Sequence, residues 1–279
     1  MQVKGISKLA LYCVFAWFGV LVSSVCSGAT IKVDGKPGVQ LEILSLSRTN
    51  GDLMTLYFRL TNEEQVNGFY FNAGDVTITD PVARVRYKPI KETNGPYVAG
   101  TNAVNLFSAS RNAPFLGWIK FKQLPPEVTK VNIEITSFAP IEDVPITDGP
   151  YTAGITKSKN GTLVVEGRAG ERMELLSLKR TSDKLTTLTF RLYNDEKSTG
   201  IFLSPDYFRL VDPTQGVRYK VIRDTTGKAY AGTNAVNLFS AHRGEASMGW
   251  IKFPGLPDSL DKANLEITYF PPIEDFPLQ

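Results

Sequence analysis

Hydrophobic and polar side chains alternate along short stretches of this chain. In residues 56–61 leucine and phenylalanine occupy every second position, and the same alternation recurs in residues 188–193. A period of two places one face of a β-strand in a core and the other towards solvent. Because such segments are separated by Gly, Pro, Asn and Asp, they predict an antiparallel β-sandwich. The pattern predicts further strands at residues 31–34, 39–48, 85–88, 115–122 and 131–138, each with a counterpart later in the chain.

The chain contains the same sequence in two copies. Residues 30–145 align with residues 162–277 without a gap, so that Thr101 corresponds to Thr233. Roughly half of the paired positions are identical, which is more than composition alone gives two unrelated β domains. The longest shared run, AGTNAVNLFSA, begins at Ala99 in the first copy. We therefore expect two homologous β-sandwiches in tandem.

The repeat sets the predicted domain boundaries. These are a signal peptide at residues 1–29, a first β-sandwich at 30–146, a linker at 147–161 and a second β-sandwich at 162–279. The linker is short and contains glycine and proline, so the two domains are expected to sit close together with some freedom between them.

The N-terminal residues have the layout of a secretory signal peptide. Lys4 and Lys8 precede an uncharged apolar run over residues 9–22, and small residues follow it up to Ala29. The run is shorter than the roughly 20 residues that cross a bilayer, so no transmembrane segment is expected in the mature chain. Cleavage is predicted after Ala29, which places the mature protein in the periplasm or outside the cell.

Cys26 offers a different interpretation, because a cysteine after an apolar signal can carry a lipid anchor in bacteria. Ser23 and Val25 differ from the residues that such signals favour, so the lipid anchor is disfavoured. Both cysteines, Cys13 and Cys26, lie in the predicted signal, and the processed chain is expected to lack disulfides. The 31 basic and 28 acidic residues nearly balance, which predicts no nucleic-acid partner.

The second copy carries the segment YFRLVDPTQGVRY at residues 207–219, followed by GWIKF at 249–253 and PIED at 272–275. These motifs resemble bacterial extracytoplasmic immunoglobulin-like modules, similar to those that accompany OmpA-like envelope proteins. The resemblance implies an immunoglobulin-like fold and an envelope location, and it implies no particular activity. The first copy departs from the motif, with Arg84 where the second has Gly216.

Groups suited to catalysis are sparse in the sequence. His242 is the one histidine, and its counterpart in the first copy is Ser110. A histidine base would therefore be confined to one copy. The sequence contains no GxSxG, HExxH or phosphate-binding glycine motif. We predict that the protein is not an enzyme and that it has no catalytic residue, metal site or cofactor.

Carboxylates recur at corresponding positions in both copies, at Asp80 and Asp212 and in Glu-Asp pairs at residues 142–143 and 274–275. Oxygen ligands of this kind can bind calcium, but the spacing is not that of a known calcium loop. Aspartates that cap turns and solvated strand ends are the favoured interpretation.

Trp118 and Trp250 are the first candidates for partner binding. If the neighbouring Ile119 points inward, Trp118 and Lys120 point outward. An outward tryptophan can form a recognition surface, or it can lie under loops or against the other domain, which is the favoured alternative. The same alternation predicts that Lys120 faces Glu134 as a cross-strand pair.

The shared run supplies further candidate polar groups. They are Asn102, Asn105 and Ser108 in the first copy and Asn234, Asn237 and Ser240 in the second. Amide and hydroxyl groups can bind a sugar or a peptide backbone, or they can satisfy the backbone of an irregular loop. The loop role is favoured.

The predicted function is that of an exported, non-enzymatic binding or scaffolding protein of the bacterial cell envelope, with an envelope protein or glycan as partner. Two equivalent modules on a short tether would bind a repeated partner more strongly than either module alone. A carbohydrate-binding module is one alternative, and it needs the outward tryptophan and the asparagines on a common surface. A carboxylate-based hydrolase is another, and it needs two convergent carboxylates in a cleft.

Overall fold

The computed structural model describes residues 31–49, 52–64, 68–92, 95–101, 105–168, 170–195, 200–233 and 237–279. Within these ranges the chain is all-β, with predominantly antiparallel sheets, two short 3₁₀ helices and no α-helix. No helix in the described ranges is long and apolar enough to span a membrane. The predicted signal peptide, residues 1–29, lies outside the described residues.

The strands are numbered in chain order. In the first copy they are β1 (Ile31–Asp34), β2 (Val39–Thr49), β3 (Leu53–Asn62), β4 (Phe69–Asn72), β5 (Val76–Thr79), β6 (Arg86–Tyr87), β7 (Leu106–Ala109), β8 (Phe115–Lys122), β9 (Lys130–Ile135) and β10 (Ile141–Pro145). The linker contributes β11 (Thr147–Asp148) and β12 (Ile155–Lys157). The second copy contributes β13 (Leu163–Glu166), β14 (Glu171–Ser182), β15 (Leu185–Asn194), β16 (Ile201–Leu203), β17 (Phe208–Val211), β18 (Arg218–Lys220), β19 (Ala231–Gly232), β20 (Phe239–Ala241), β21 (Ala246–Pro254), β22 (Lys262–Ile267) and β23 (Ile273–Pro277). The 3₁₀ helices are Ala73–Asp75 and Pro205–Tyr207.

The two copies repeat one order of strands. In the first copy the strands β1-β2-β3-β8 form a front sheet and β10-β9-β5-β6 form a back sheet. In the second copy the front sheet runs β12-β13-β14-β15-β21-β19 and the back sheet runs β18-β17-β22-β23. A short pair, β4 with β7 or β16 with β20, completes each copy. The predicted all-β class with antiparallel sheets is confirmed.

The inward faces of the sheets carry the buried apolar side chains, which form one continuous core cluster with members from both copies. Leu56, Phe58 and Leu60 of β3 are fully buried, as the alternating pattern predicted. In the second copy Phe190 of the front sheet stacks on Phe208 of the back sheet, with ring centroids 5.2 Å apart. Aromatic pairs of this kind stabilise a core by about 0.5–1.5 kcal/mol beyond the area they bury.

The strands β3 and β15 have counterpart sequences but different burial. β15 alternates strictly between buried and half-buried residues, which is the pattern of a sheet with one solvated face. β3 is buried continuously from Met54 to Phe58, so its outer face is also covered. Both faces of the front sheet of the first copy are therefore covered by other parts of the protein.

Asp80 and Asp212 close the turns that follow β5 and β17. The Oδ1 atom of Asp80 accepts hydrogen bonds from the backbone N–H groups of Val82 and Ala83, at 2.8 and 3.1 Å. Asp212 accepts the equivalent two bonds at 2.7 and 3.0 Å. Both carboxylates are buried. The prediction of turn-capping aspartates is confirmed at these positions.

The linker is attached to both copies. Its strand β11 pairs in parallel with β2 of the first copy, and its strand β12 pairs in antiparallel fashion with β13 of the second. Between them Tyr151 stacks on Tyr57 of β3, with ring centroids 4.6 Å apart. The backbone of the linker therefore joins a sheet of each copy.

Replacing Asp212 by alanine removes the buried carboxylate that accepts hydrogen bonds from two turn N–H groups. We expect the free energy of unfolding to fall by about 1–3 kcal/mol. Denaturation in urea, followed by circular dichroism, measures this change. The solvent-exposed Asp258 provides the control, since Asp258→Ala should change stability by less than about 0.5 kcal/mol. Equal effects of the two variants would contradict the assigned role.

Candidate binding surface

The outer face of the first front sheet lies against the second copy. Tyr57 of β3 and Trp118 of β8 are paired across the sheet, and two residues further along the strands Thr55 is paired with Lys120. Because partners in register share a face, these four side chains lie together. Trp118 and Lys120 are each 2% exposed. The outward tryptophan of the first copy is thus covered, which is the alternative that the sequence favoured.

Lys120 lies between two glutamates of the second copy. Its Nζ atom is 3.8 Å from Oε1 of Glu266 on β22 and 3.6 Å from Oε1 of Glu274 on β23. The three side chains are no more than 2% exposed. The predicted pairing of Lys120 with Glu134 is wrong, because β8 belongs to the front sheet and β9 to the back sheet of the first copy. Charge is therefore neutralised across the boundary between the copies.

A second group of charges extends the contact. Glu92 of the first copy lies 3.3 Å from Arg218 and 3.4 Å from Lys220, both on β18 of the second copy. Arg218 also pairs with Glu266, so the two groups of charges are connected. Buried ion pairs stabilise a specific arrangement only when every charge finds a partner.

Aromatic contacts flank these charges. The ring of Phe115 in the first copy meets the ring of Tyr269 in the second at 89°, with centroids 6.0 Å apart. Arg168 lies over the ring of Tyr269, with its guanidinium carbon 3.8 Å from the ring centroid. Burial raises the pKa of Tyr269 to about 12. The contact between the copies thus combines buried ions with aromatic packing.

Tyr57 lies beside the buried glutamates. Burial raises the pKa of its phenol well above the usual value, and the carboxylates of Glu274 and Glu266 raise it further. The phenol therefore stays neutral in the folded protein at any pH below about 10.

The corresponding face of the second copy is open. Met248 and Trp250 of β21 are 56% and 39% exposed, and Tyr230 beside them is 49% exposed. Lys252 lies over both rings, with its Nζ atom 5.6 Å from the Tyr230 centroid and 5.9 Å from that of Trp250. We name these four side chains the Trp250 face. It is the most prominent cluster of exposed large apolar side chains in the described residues, which is the feature expected of a recognition surface.

Glycines fix the orientation of both indoles. A Cβ atom on Gly100 would lie 2.1 Å from Nε1 of Trp118, and one on Gly232 would lie 2.0 Å from Nε1 of Trp250. Each indole thus lies directly on the backbone of the neighbouring segment, where no larger residue fits. The two tryptophans adopt one arrangement but differ in exposure. Trp118 forms a buried cluster with Tyr57 and Val98 of the first copy, and Tyr151 of the linker packs against that cluster.

The structure describes four of the six candidate polar residues of the shared run. Asn105 and Asn237 adopt left-handed φ angles of 57° and 53°, a conformation that asparagine tolerates better than most residues. Oδ1 of Asn105 accepts a hydrogen bond from the backbone N–H of Tyr97 at 2.9 Å. Ser108 is half-buried in β7 and Ser240 is buried in β20. Asn102 and Asn234 lie outside the described residues.

The remaining candidates for chemistry are dispersed. Asp143 and Asp275 occupy bulges at left-handed φ, where their N–H groups donate to Asn132 and Asn264. His242 is exposed in a loop. No cluster of three or more metal-ligating side chains occurs among the residues that the structure describes.

A cavity of about 330 Å³ lies where the linker meets both copies. It is lined by Arg59, Leu116, Tyr151, Glu166 and Arg168, among others. It opens beside the covered face of the first copy, and Glu166 supplies the one carboxylate of its lining.

Comparison with known proteins gives no relative. A scan against protein-family models found no match, and a search of curated proteins found none at a significant level.

Replacing Lys120 by methionine removes the cation that faces two buried carboxylates. We expect the free energy of unfolding to fall by about 3–5 kcal/mol, because breaking a buried ion pair leaves uncompensated charge. The matched control is Lys252→Met at the corresponding open position, which should cost less than about 0.5 kcal/mol. Guanidinium denaturation of both variants makes the comparison. Equal losses would show that Lys120 is not held between the copies.

Stability should also fall at high pH because of Tyr57. Its pKa in the folded chain is raised above the value of about 10 for unfolded tyrosine. The contribution of Tyr57 to the free energy of unfolding is therefore intact below pH 10. It is lost as pH rises from there towards the pKa of the folded chain, at no more than about 1.4 kcal/mol per pH unit. The variant Tyr57→Phe should show a shallower decline of unfolding free energy above pH 10. Replacing the exposed Tyr70 by phenylalanine should leave the decline unchanged.

Proposed function

We propose that this chain is an exported, non-enzymatic binding or scaffolding protein of the bacterial cell envelope. In this proposal it consists of two tandem immunoglobulin-like β-sandwiches that follow a signal peptide cleaved after Ala29. The layout of residues 1–29, the duplicated sequence and the resemblance of residues 207–219 to extracytoplasmic modules support it. The repeated order of strands is compatible with two such sandwiches.

The observation that carries the proposal is the Trp250 face. An exposed tryptophan, tyrosine and methionine beside a lysine have the composition of a protein-binding surface, where aromatic residues and methionine are enriched. The equivalent face of the first copy already packs against protein, namely the second copy. A surface of this type is therefore suited to packing against a folded partner.

The asymmetry of the two copies changes the expected mode of binding. The sequence suggested two equivalent modules that bind a repeated partner. Trp118 is 2% exposed, whereas Trp250 is 39% exposed, so only the second copy presents the tryptophan surface. We propose one such surface per chain.

Carbohydrate binding is the second candidate. Trp250 and Tyr230 lie side by side on one face with Lys252 over both rings, and flat aromatic rings with polar neighbours can stack on sugars. In the first copy Oδ1 of Asn105 is already used locally, because it accepts a hydrogen bond from the backbone N–H of Tyr97.

Quantitative capture of envelope proteins by the processed chain tests the proposal. The variant Trp250→Ala should reduce the amount of specific partner captured at least about tenfold, since central aromatic residues commonly contribute 2 kcal/mol or more to binding. Tyr70→Ala, which removes an exposed ring from the other copy, is the matched control and should leave capture unchanged. Equal capture by all three proteins would contradict the proposal.

The same material decides between the two candidates and tests export. Binding to a glycan array that is lost in Trp250→Ala would favour the carbohydrate function over protein binding. Mass spectrometry of the protein recovered from the host should give an N-terminus at Thr30. A lipidated Cys26 at the N-terminus would contradict the proposed cleavage.

A further inference from the structure

The contact between the two copies joins two different surfaces. The first copy contributes the outer face of its front sheet, with Lys120, and the second contributes the outer face of its back sheet, with Glu266 and Glu274. Contacts between unlike surfaces of equivalent units are heterologous, and each unit then keeps one unused surface. A repeat joined in this way can be extended by the same contact.

Both unused surfaces are open in this chain. The second copy presents the Trp250 face, which corresponds to the covered surface around Trp118. The first copy presents the outer face of its back sheet, which we name the Glu134 face and define by Glu134, Glu142, Arg86 and Lys88. Glu134 and Arg86 have side chains 44% and 61% exposed, and Glu142 and Lys88 are also exposed.

The charges of the internal contact recur on these open surfaces. On the Trp250 face, Lys252 corresponds to Lys120 and Asp224 corresponds to Glu92. On the Glu134 face, the two carboxylates Glu134 and Glu142 correspond to Glu266 and Glu274. The two cations Arg86 and Lys88 correspond to Arg218 and Lys220. All six charged positions keep their sign, although only about half of all positions are identical between the copies. Arg86 also pairs with Glu134, as Arg218 pairs with Glu266. The two open surfaces are therefore complementary in the same way as the two buried ones.

We propose that the Trp250 face of one molecule docks on the Glu134 face of a second copy of this chain. In this contact Lys252 lies between Glu134 and Glu142 of the next molecule, and Asp224 faces its Arg86. The result is a head-to-tail assembly, which is a ring if the rotation between successive units closes and a filament if it does not. The inference rests on the proposed role of the Trp250 face as a binding surface, and it identifies the partner.

The contact between molecules is weaker than the contact within one. Phe115 and Tyr269, which meet in the internal contact, correspond to Ser247 and Ser137, and Tyr57 corresponds to Thr189. Both members of the aromatic pair are thus replaced by serine on the open surfaces, so a contact between molecules would bury fewer rings. The internal contact also benefits from the linker, which supplies an effective concentration on the order of 1 mM. Association between molecules should therefore be reversible and should depend on concentration.

Sedimentation velocity of the processed chain, from about 10 μM to about 1 mM at low salt, tests the proposal. The wild-type protein should shift from monomer to larger species across this range, and added salt should reverse the shift. Lys252→Glu and the double variant Glu134→Lys with Glu142→Lys should each weaken association at least about tenfold, because like charges would face each other. Lys159→Glu, in an exposed turn of the linker, is the matched control and should associate as the wild type does.

Mixing the two charge-reversed proteins provides the decisive comparison. The Lys252→Glu protein keeps an intact Glu134 face, and the double variant keeps an intact Trp250 face, so these two surfaces can still dock. The altered Trp250 face and the altered Glu134 face again carry opposite charges. The mixture should therefore associate where neither protein does alone. Circular dichroism of each variant verifies that it is folded. A wild-type protein that remains monomeric throughout, or association that persists after both charge reversals, would overturn the proposal.

The outcomes also separate this inference from the proposed function. A monomeric wild type whose capture of envelope proteins is lost in Trp250→Ala would reject self-association and keep the binding role of the Trp250 face. Normal capture and normal association in Trp250→Ala would reject both.

Discussion

The burial of one positive charge among negative ones determines how the two halves of this protein meet. Lys120 is 2% exposed, and it lies within 4 Å of Glu266 and Glu274. Removing such ions from water costs several kcal/mol each, and only well-placed partners offset that cost. A shift of one copy along the other would separate the buried Lys120 from both carboxylates. The charges thus define one relative position of the copies, which apolar packing alone would specify less sharply.

Apolar and aromatic contacts surround this cluster and supply favourable burial. Tyr57 stacks on Tyr151 of the linker, and Phe115 meets Tyr269. Neither pair has an aromatic counterpart elsewhere in the repeat, because the corresponding positions carry threonine and serine. The duplicated halves therefore differ at these contact positions. The charged positions of the contact have kept their sign in both copies, which leaves a matching pair of surfaces at the two ends of the chain.

Much of the fold follows from local sequence rules. Alternation of apolar residues located β1, β2, β3, β8 and β9 to within a few residues, and the predicted bounds of β8 coincide with those observed. The short strands β4, β5, β7 and β10 were not predicted as separate elements. Asp80 and Asp212 were identified correctly as turn caps, since an aspartate at a strand end has a strong local preference for that role.

The sequence alone determined the all-β class, the repeat and the residues that face outward from each sheet, because all three depend on local periodicity or on self-similarity. It could not decide which outward face meets solvent. Trp118 and Trp250 occupy identical local sequences, GWIKF, yet one is covered and the other is open. That difference arises from contacts between residues that are distant in the chain, because Trp118 is buried with Tyr57 and Val98 and Tyr151 of the linker packs against them. Only the tertiary structure brings them together.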